Sequence, residues 1–199
     1  KRESMAVAVV GDEIIFAGGA TNNGGTVKNV DIYNVSNDTW TTTNLPTARY
    51  GLKAVVVGTN AYFAGGLFDA IENEVDIYNT AADSWSTIYI PVSLSAFSMS
   101  VINDKIYFAG GYISGTSTYS NLVQIYDPAT STWSTEYLSI GRRDVAALTV
   151  VNKGYFAGGV YAYGYPVALT TKRVDILSTS SPIADFTASA TTIIAGGTV

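Results

Sequence analysis

The sequence predicts an all-β chain made of four consecutive four-stranded units, and three observations carry that prediction. A strand-like run ends four times in Phe-Ala-Gly-Gly, at Phe16 to Gly19, Phe63 to Gly66, Phe108 to Gly111 and Phe156 to Gly159. The glycine pairs Gly18-Gly19, Gly65-Gly66, Gly110-Gly111 and Gly158-Gly159 recur at steps of 47, 45 and 48 residues. After each pair and a loop comes a second conserved-length run: Val30-Asp31-Ile32-Tyr33, Val75-Asp76-Ile77-Tyr78, Val123-Gln124-Ile125-Tyr126 and Val174-Asp175-Ile176-Leu177. A fixed repeat of about 40 to 50 residues built from short strands is the mark of a propeller blade.

Each unit divides into four strands. The first is small and aliphatic, over Met5 to Val10, Lys53 to Val57, Ser98 to Ile102 and Val145 to Val151, and ends in a polar turn such as Gly11-Asp12 or Asn103-Asp104. Such a turn between two apolar runs predicts a tight hairpin. The second strand brings the Phe into the glycine pair. The third carries Tyr33, Tyr78 and Tyr126, and seven residues beyond each tyrosine the fourth opens at Trp40, Trp85 and Trp133, which are all the tryptophans of the chain. Small residues suit the strand nearest a propeller axis, and large aromatics the wider gap further out. Sixteen residues before the first glycine of a pair stand Arg2, Arg49 and Arg142, with Leu94 at that place in the third unit.

With Gly-Gly after the second strand, Tyr in the third, Trp opening the fourth and Arg at the unit boundary, the chain resembles a kelch-repeat β-propeller over residues 1 to 181. The resemblance implies blades at about 1–47, 48–93, 94–140 and 141–181. The last departs from the pattern, having Leu177 in place of Tyr and no Trp after it, so its outer strand is expected to be missing. Propellers commonly close by letting one terminus donate a strand to the other's blade. Residues preceding Lys1 are therefore expected to supply that strand, and the four blades to form an open part of a larger ring. Residues 182 to 199, from Pro182 through Ala184-Asp185-Phe186 to Gly197-Thr198-Val199, resemble the opening of a PKD-type domain, an immunoglobulin-like sandwich. A sandwich of about seven strands cannot form from one or two, so this segment reads as a linker and stub. The resemblance to PKD domains implies an extracellular or cell-surface setting in a bacterium or archaeon.

Composition narrows the chemistry. A net charge of −5, with eleven scattered Lys and Arg, argues against nucleic acid, whose binding needs a clustered cationic face. No run approaches the ~18 apolar residues of a membrane span. With no Cys there are no disulfides or thiolate metal sites, and with no His neither an imidazole-bound metal nor the usual base of a serine triad is available. No metal, cofactor or catalytic set is therefore expected. The carboxylates follow the repeat: Asp31, Asp76 and Asp175 share one strand position, and Asp38 and Asp83 precede Trp by two. Ser36-Asn37-Asp38-Thr39-Trp40 lacks the Gly of a sialidase Asp-box and reads as a turn.

What varies while the strands repeat is the connection between the second and third strands, over 20 to 29, 67 to 74, 112 to 122 and 160 to 173. Tyr112, Tyr119, Tyr161, Tyr163 and Tyr165 fall in the last two of these. They are candidates for stacking on a sugar ring or gripping a protein; alternatively, the alternate residues Tyr161, Tyr163 and Tyr165 continue a strand with one wet face. Arg143 is not a repeat residue and is the candidate polar contact. Arg49 and Arg142 recur, and are expected to tie neighbouring blades through a carboxylate or carbonyl. The glycine pairs have no Gly-Lys-Ser or helix after them, which favours a backbone role over a phosphate cradle. The sequence thus favours a non-catalytic binding or scaffold module with a protein or glycan ligand. The alternative is a carbohydrate-active enzyme of the kelch type, with Arg49, Arg142 and Arg143 holding a sialic-acid-like carboxylate. Exposed blade edges are expected to promote self-association.

Overall fold

The computed structural model describes residues 1–67, 73–113, 115–116, 118–163 and 168–178, and no helix occurs among them. The PKD-like segment 182–199 lies outside the described residues. Three four-stranded antiparallel sheets and one three-stranded sheet follow in chain order. Sheet one comprises Ala6–Val10, Glu13–Ala17, Asn29–Asn34 and Thr39–Asn44. Sheet two comprises Tyr50–Val57, Asn60–Leu67, Glu74–Asn79 and Ser84–Tyr89. Sheet three comprises Ser98–Ile102, Lys105–Ala109, Leu122–Asp127 and Thr132–Tyr137. Sheet four has Ala146–Val150, Lys153–Ala157 and Val174–Ser178.

The innermost strands of successive sheets lie side by side, so the sheets radiate from a common line as an open arc of propeller blades. The register is uniform. Phe16, Phe63, Phe108 and Phe156 pair with Asp31, Asp76, Gln124 and Asp175, while Tyr33, Tyr78 and Tyr126 pair with Trp40, Trp85 and Trp133. Because side chains alternate across a strand, the first three sheets each have one face that carries Phe, Tyr and Trp and one that is mainly Ala, Ile and Val, while sheet four has Phe156 and Leu177 at the places of Phe and Tyr. In each of the three tryptophan-bearing sheets the indole lies 4.9 Å from the tyrosine ring.

Every junction joins the aromatic face of one sheet to the aliphatic face of the sheet before it. Phe63, Tyr78 and Trp85 of sheet two meet Ala8, Ile15 and Ile32 of sheet one. Phe108, Tyr126 and Trp133 meet Val75, Ile77 and Tyr62, and Phe156 and Leu177 meet Ile125, Tyr107 and Ile102. Leu45, Ile90 and Leu138, each five residues beyond a Trp, are buried in the three junctions. Trp85 Nε1 also donates across its junction to Thr43 Oγ1 at 3.2 Å.

The arginines do less between sheets and more within them than the sequence implied. Arg49 sends its guanidinium into its own sheet, to the Gly65 and Glu74 carbonyls at 3.3 and 3.1 Å and to the Asp76 carboxylate. Arg142 binds the Phe156 carbonyl at 2.9 Å and Asp175 at 2.5 Å, and Arg2 binds Gly18, Asn29 and Asp31 in the same manner. Each thereby clamps the ends of the second and third strands. The tie to the preceding sheet runs through the arginine's main chain: Gly19 and Gly111 N–H donate to the Arg49 and Arg142 carbonyls, both at 2.8 Å. In sheet three both partners are absent; Leu94 is buried and Gln124 turns to Thr135 Oγ1 at 3.2 Å.

The turns carry a further regularity. Asp38 and Asp83 adopt left-handed φ of 55° and 47° and accept the Tyr33 and Tyr78 hydroxyls at 2.8 and 2.7 Å, which is the turn role expected of them. Burial, aided by the Asp83 contact, pushes the Tyr78 hydroxyl pKa above its ordinary value. At the inner hairpins, Gly11, Gly58 and Asn103 hold left-handed φ, and the fourth place is taken by Val151 at φ 57°. A β-branched residue is strained there, and Val151 makes up nothing by burial, being 91 % exposed. Val151→Asn is expected to raise the unfolding free energy by about 1 kcal/mol, read as a higher urea midpoint. A midpoint that is unchanged or lower would show that the turn is not strained.

Candidate functional site

On the loop side of the junction between sheets three and four, the main chain builds a small platform. Tyr112–Ile113 pairs with Leu94–Ser95, and Tyr119 bridges back to Tyr112. The link Gly141-Arg142-Arg143 lies against this loop: Arg142 N–H donates to the Ser120 carbonyl at 3.0 Å, and Ser120 N–H to the Gly111 carbonyl at 2.7 Å. Gly141 is needed for the approach, since a Cβ there would overlap the Tyr119 carbonyl. Arg143 exchanges both backbone hydrogen bonds with Val160, each 3.0 Å, so the link is held from both sides.

Three of the sequence candidates converge on this platform. The Tyr112 and Tyr119 rings are 4.7 Å apart and tilted by 36°. The Arg143 guanidinium carbon lies 5.8 Å from the Tyr112 ring centre, within reach of a cation–π attraction. Arg143 also pairs with Asp144, whose side chain is largely exposed. All three candidates are half-buried, with a rim open to water. Tyr161 is exposed, one residue beyond the Val160 bridge. Tyr161 and Tyr163 lie on the strand Val160–Tyr163, paired with Ala168–Thr170, so the reading of these tyrosines as strand residues describes their backbone. Tyr165 falls outside the described residues.

Arg49 and Arg142 are 1 % and 0 % exposed and spent on Asp76 and Asp175, which removes two of the three arginines considered for a sugar carboxylate. Among the described residues no group of three or more His, Cys, Asp and Glu is placed to hold a metal ion. Nor is any helix there long and apolar enough to cross a membrane. Sequence reasoning passed over Asp144 and Gly141. Asp144 is the arginine's immediate neighbour, and its left-handed φ of 53° repeats Ser4, Gly51 and Ala96 at the same unit position, a match hidden by four different residue types.

A model of the KLHDC2/KLHL20/DRC7 Kelch-repeats domain matches residues 2–178. The chain belongs to the kelch-repeat family. The kelch units superpose on a solved structure titled "Structure of YjhT" with a TM-score of 0.70 at 19 % identity, covering 90 % of this chain and 62 % of that one. The kelch chain thus spans under two thirds of that relative's length. No curated protein matches it.

Proposed function

We propose that this chain is a non-catalytic protein-binding propeller module of a secreted or cell-surface protein, with its partner seated on the platform of Tyr112, Tyr119 and Arg143 beside Tyr161. Kelch repeats generally mediate protein interactions. The observation that carries the reading is the convergence of an arginine and two tyrosines from two separate loops on a main-chain support that positions them before any partner arrives. Preorganised aromatic and arginine side chains are the usual anchors of interfaces, because they bring large contact area at low ordering cost. The PKD-like character of 182–199 supports the extracellular setting.

Selection of displayed peptides and a glycan array, run on the same protein, separate the two ligand classes. Arg143→Ala and Tyr112→Ala are expected to weaken peptide binding at least about tenfold, with the far-ultraviolet circular dichroism unchanged. Tyr137→Ala, an exposed position on the outer edge of sheet three, should bind as the parent does. Glycan hits without peptide hits would replace the partner class; full binding by both platform variants would remove the site.

A further inference from the structure

The four inner strands, Ala6–Val10, Tyr50–Val57, Ser98–Ile102 and Ala146–Val150, carry a single charged residue, Lys53. It occupies a place that recurs in register: Ala6, Lys53, Ser98 and Ala146 each pair with the alanine just before a glycine pair, Ala17, Ala64, Ala109 and Ala157. Three of the four are small, and the lysine stands alone at the loop-side end of an uncharged wall. Lys53 is exposed. Among the described residues it makes no ion pair, whereas Arg2, Arg49, Arg142 and Arg143 each hold an aspartate.

Lys53 borders a recess of about 310 Å³, lined further by Ser98, Met99, Val145, Ala146 and Ala147. No other side chain in the lining is charged, and its one hydroxyl is already spent: Ser98 Oγ donates to the Val145 carbonyl. Further along the same two strands the Ser100 and Thr149 hydroxyls are hydrogen-bonded at 2.7 Å, so the inner strands of sheets three and four are laced together and the recess holds its shape. It belongs to the interior of the arc. Sheet two, which supplies the charge, has both faces covered, one by sheet one and the other by sheet three. The recess also adjoins the platform, since Val145 follows Arg143 and Asp144 directly in the chain. A cation beside low-dielectric walls focuses its field into the recess and draws an anion there more strongly than it would on open surface.

We infer that this recess is a subsite for an acidic side chain, aspartate or glutamate, of the protein partner, with Lys53 as its counter-charge. The inference rests on the reading of the platform as the partner's seat, because a segment gripped by Tyr112 and Tyr119 needs only to follow the chain from Arg143 to Val145 to arrive at the recess. Arg143 is already paired with Asp144, so Lys53 is the cation that meets an incoming carboxylate there. The volume equals roughly ten water molecules, enough for a carboxylate side chain and the water that remains around it.

Peptides selected from a display library on the parent protein, with affinities then measured by fluorescence anisotropy, test this. Those that lose affinity in Tyr112→Ala are expected to share an Asp or Glu at one position. Lys53→Gln should weaken them about fivefold and flatten the salt dependence of binding. Lys53→Glu should bind them more weakly still, and should regain affinity for a peptide in which that acid is replaced by Lys. Lys53 is exposed, so both variants are expected to keep the circular dichroism and melting temperature of the parent. Peptides that depend on Tyr112 but carry no shared acid, or bind both Lys53 variants as they bind the parent, overturn the inference and leave the platform standing. Failure of the charge-reversed pair to regain affinity overturns it as well. Peptides indifferent to Tyr112 and Arg143, or no selected peptide at all, remove the platform reading and this inference with it.

Discussion

Arg49→Met is expected to lower the unfolding free energy at neutral pH by about 3 to 5 kcal/mol, the range for removing one partner of a buried ion pair. Arg49 and Asp76 are 1 % and 0 % exposed, so the carboxylate left behind can recruit no water. Burial already pushes the Asp76 pKa above the ordinary carboxylate value, with Arg49 the largest opposing influence. Without the guanidinium it rises further. The sign of the pH dependence follows. An acid whose folded value lies above its unfolded value, about 3.9 for Asp, binds its proton more tightly in the native state. Stability is then lost as pH rises from the unfolded value through the folded one. The deficit of Arg49→Met relative to the parent should therefore be full at pH 7 and shrink as pH falls towards 4 and Asp76 takes up its proton. Urea unfolding of both proteins at the two pH values measures it. A deficit that does not change with pH would mean that the uncompensated carboxylate is not its source.

Gly110→Ala is expected to cost about 3 kcal/mol or more, placing it among the severe single substitutions. Two costs add. Gly110 has φ 71°, where an L side chain loses roughly 1 to 2 kcal/mol, and the new methyl would overlap the Arg142 carbonyl, to which Gly111 N–H donates. Gly158→Ala provides the control, because φ is nearly the same at 65° while the nearest atom among the described residues, the Thr171 carbonyl oxygen, is 3.8 Å from the added Cβ. It should cost only the conformational share, roughly 1 to 2 kcal/mol. Equal losses in the two variants would show that backbone conformation alone fixes these glycines.

The architecture was open to the sequence because the repeat writes it out four times: the strand order, the aromatic pairs and the shortened last unit are all periodic. The arginine's partner was present in the same periodicity, although the recurrence of Arg49 and Arg142 led to the expectation of a tie between neighbouring blades, which the structure corrects to a clamp within each sheet. Units one, two and four carry both Arg and Asp, at Arg2 and Asp31, Arg49 and Asp76, Arg142 and Asp175, whereas unit three carries Leu94 and Gln124 at the two places. Joint retention and joint loss is what a clamp within one unit produces, and a tie between neighbours would have shifted the pattern by one. The reason for the glycine pair was not legible. For Gly18 and Gly110 it depends on a carbonyl some thirty residues further along, and for the second glycine of each pair on one about sixteen residues back, and carbonyls leave no trace in residue identity. The same holds for the platform: Tyr112, Tyr119 and Arg143 stood out only as non-periodic residues, and their meeting is set by main-chain hydrogen bonds between two loops of different length.

The placement of tryptophan, one to each of the first three sheets, has an optical consequence. Trp85 and Trp133 are half-buried in junctions and Trp40 is mostly in water, while sheet four, without indole, has Tyr155 and Phe156 as the aromatics of its strands. Indole emission therefore samples the arc unevenly: two fluorophores report on interior seams, one sits in water before any unfolding, and none reports on the terminal sheet. That sheet packs through one seam and has three strands where the others have four, so fraying is expected to begin there. A melt followed at the tryptophan band records when the inner seams part and is blind to earlier fraying at the end of the arc, which tyrosine absorbance and peptide dichroism do register. Disagreement between those signals would mark a chain that comes apart blade by blade, and agreement one whose last sheet is held as firmly as the rest.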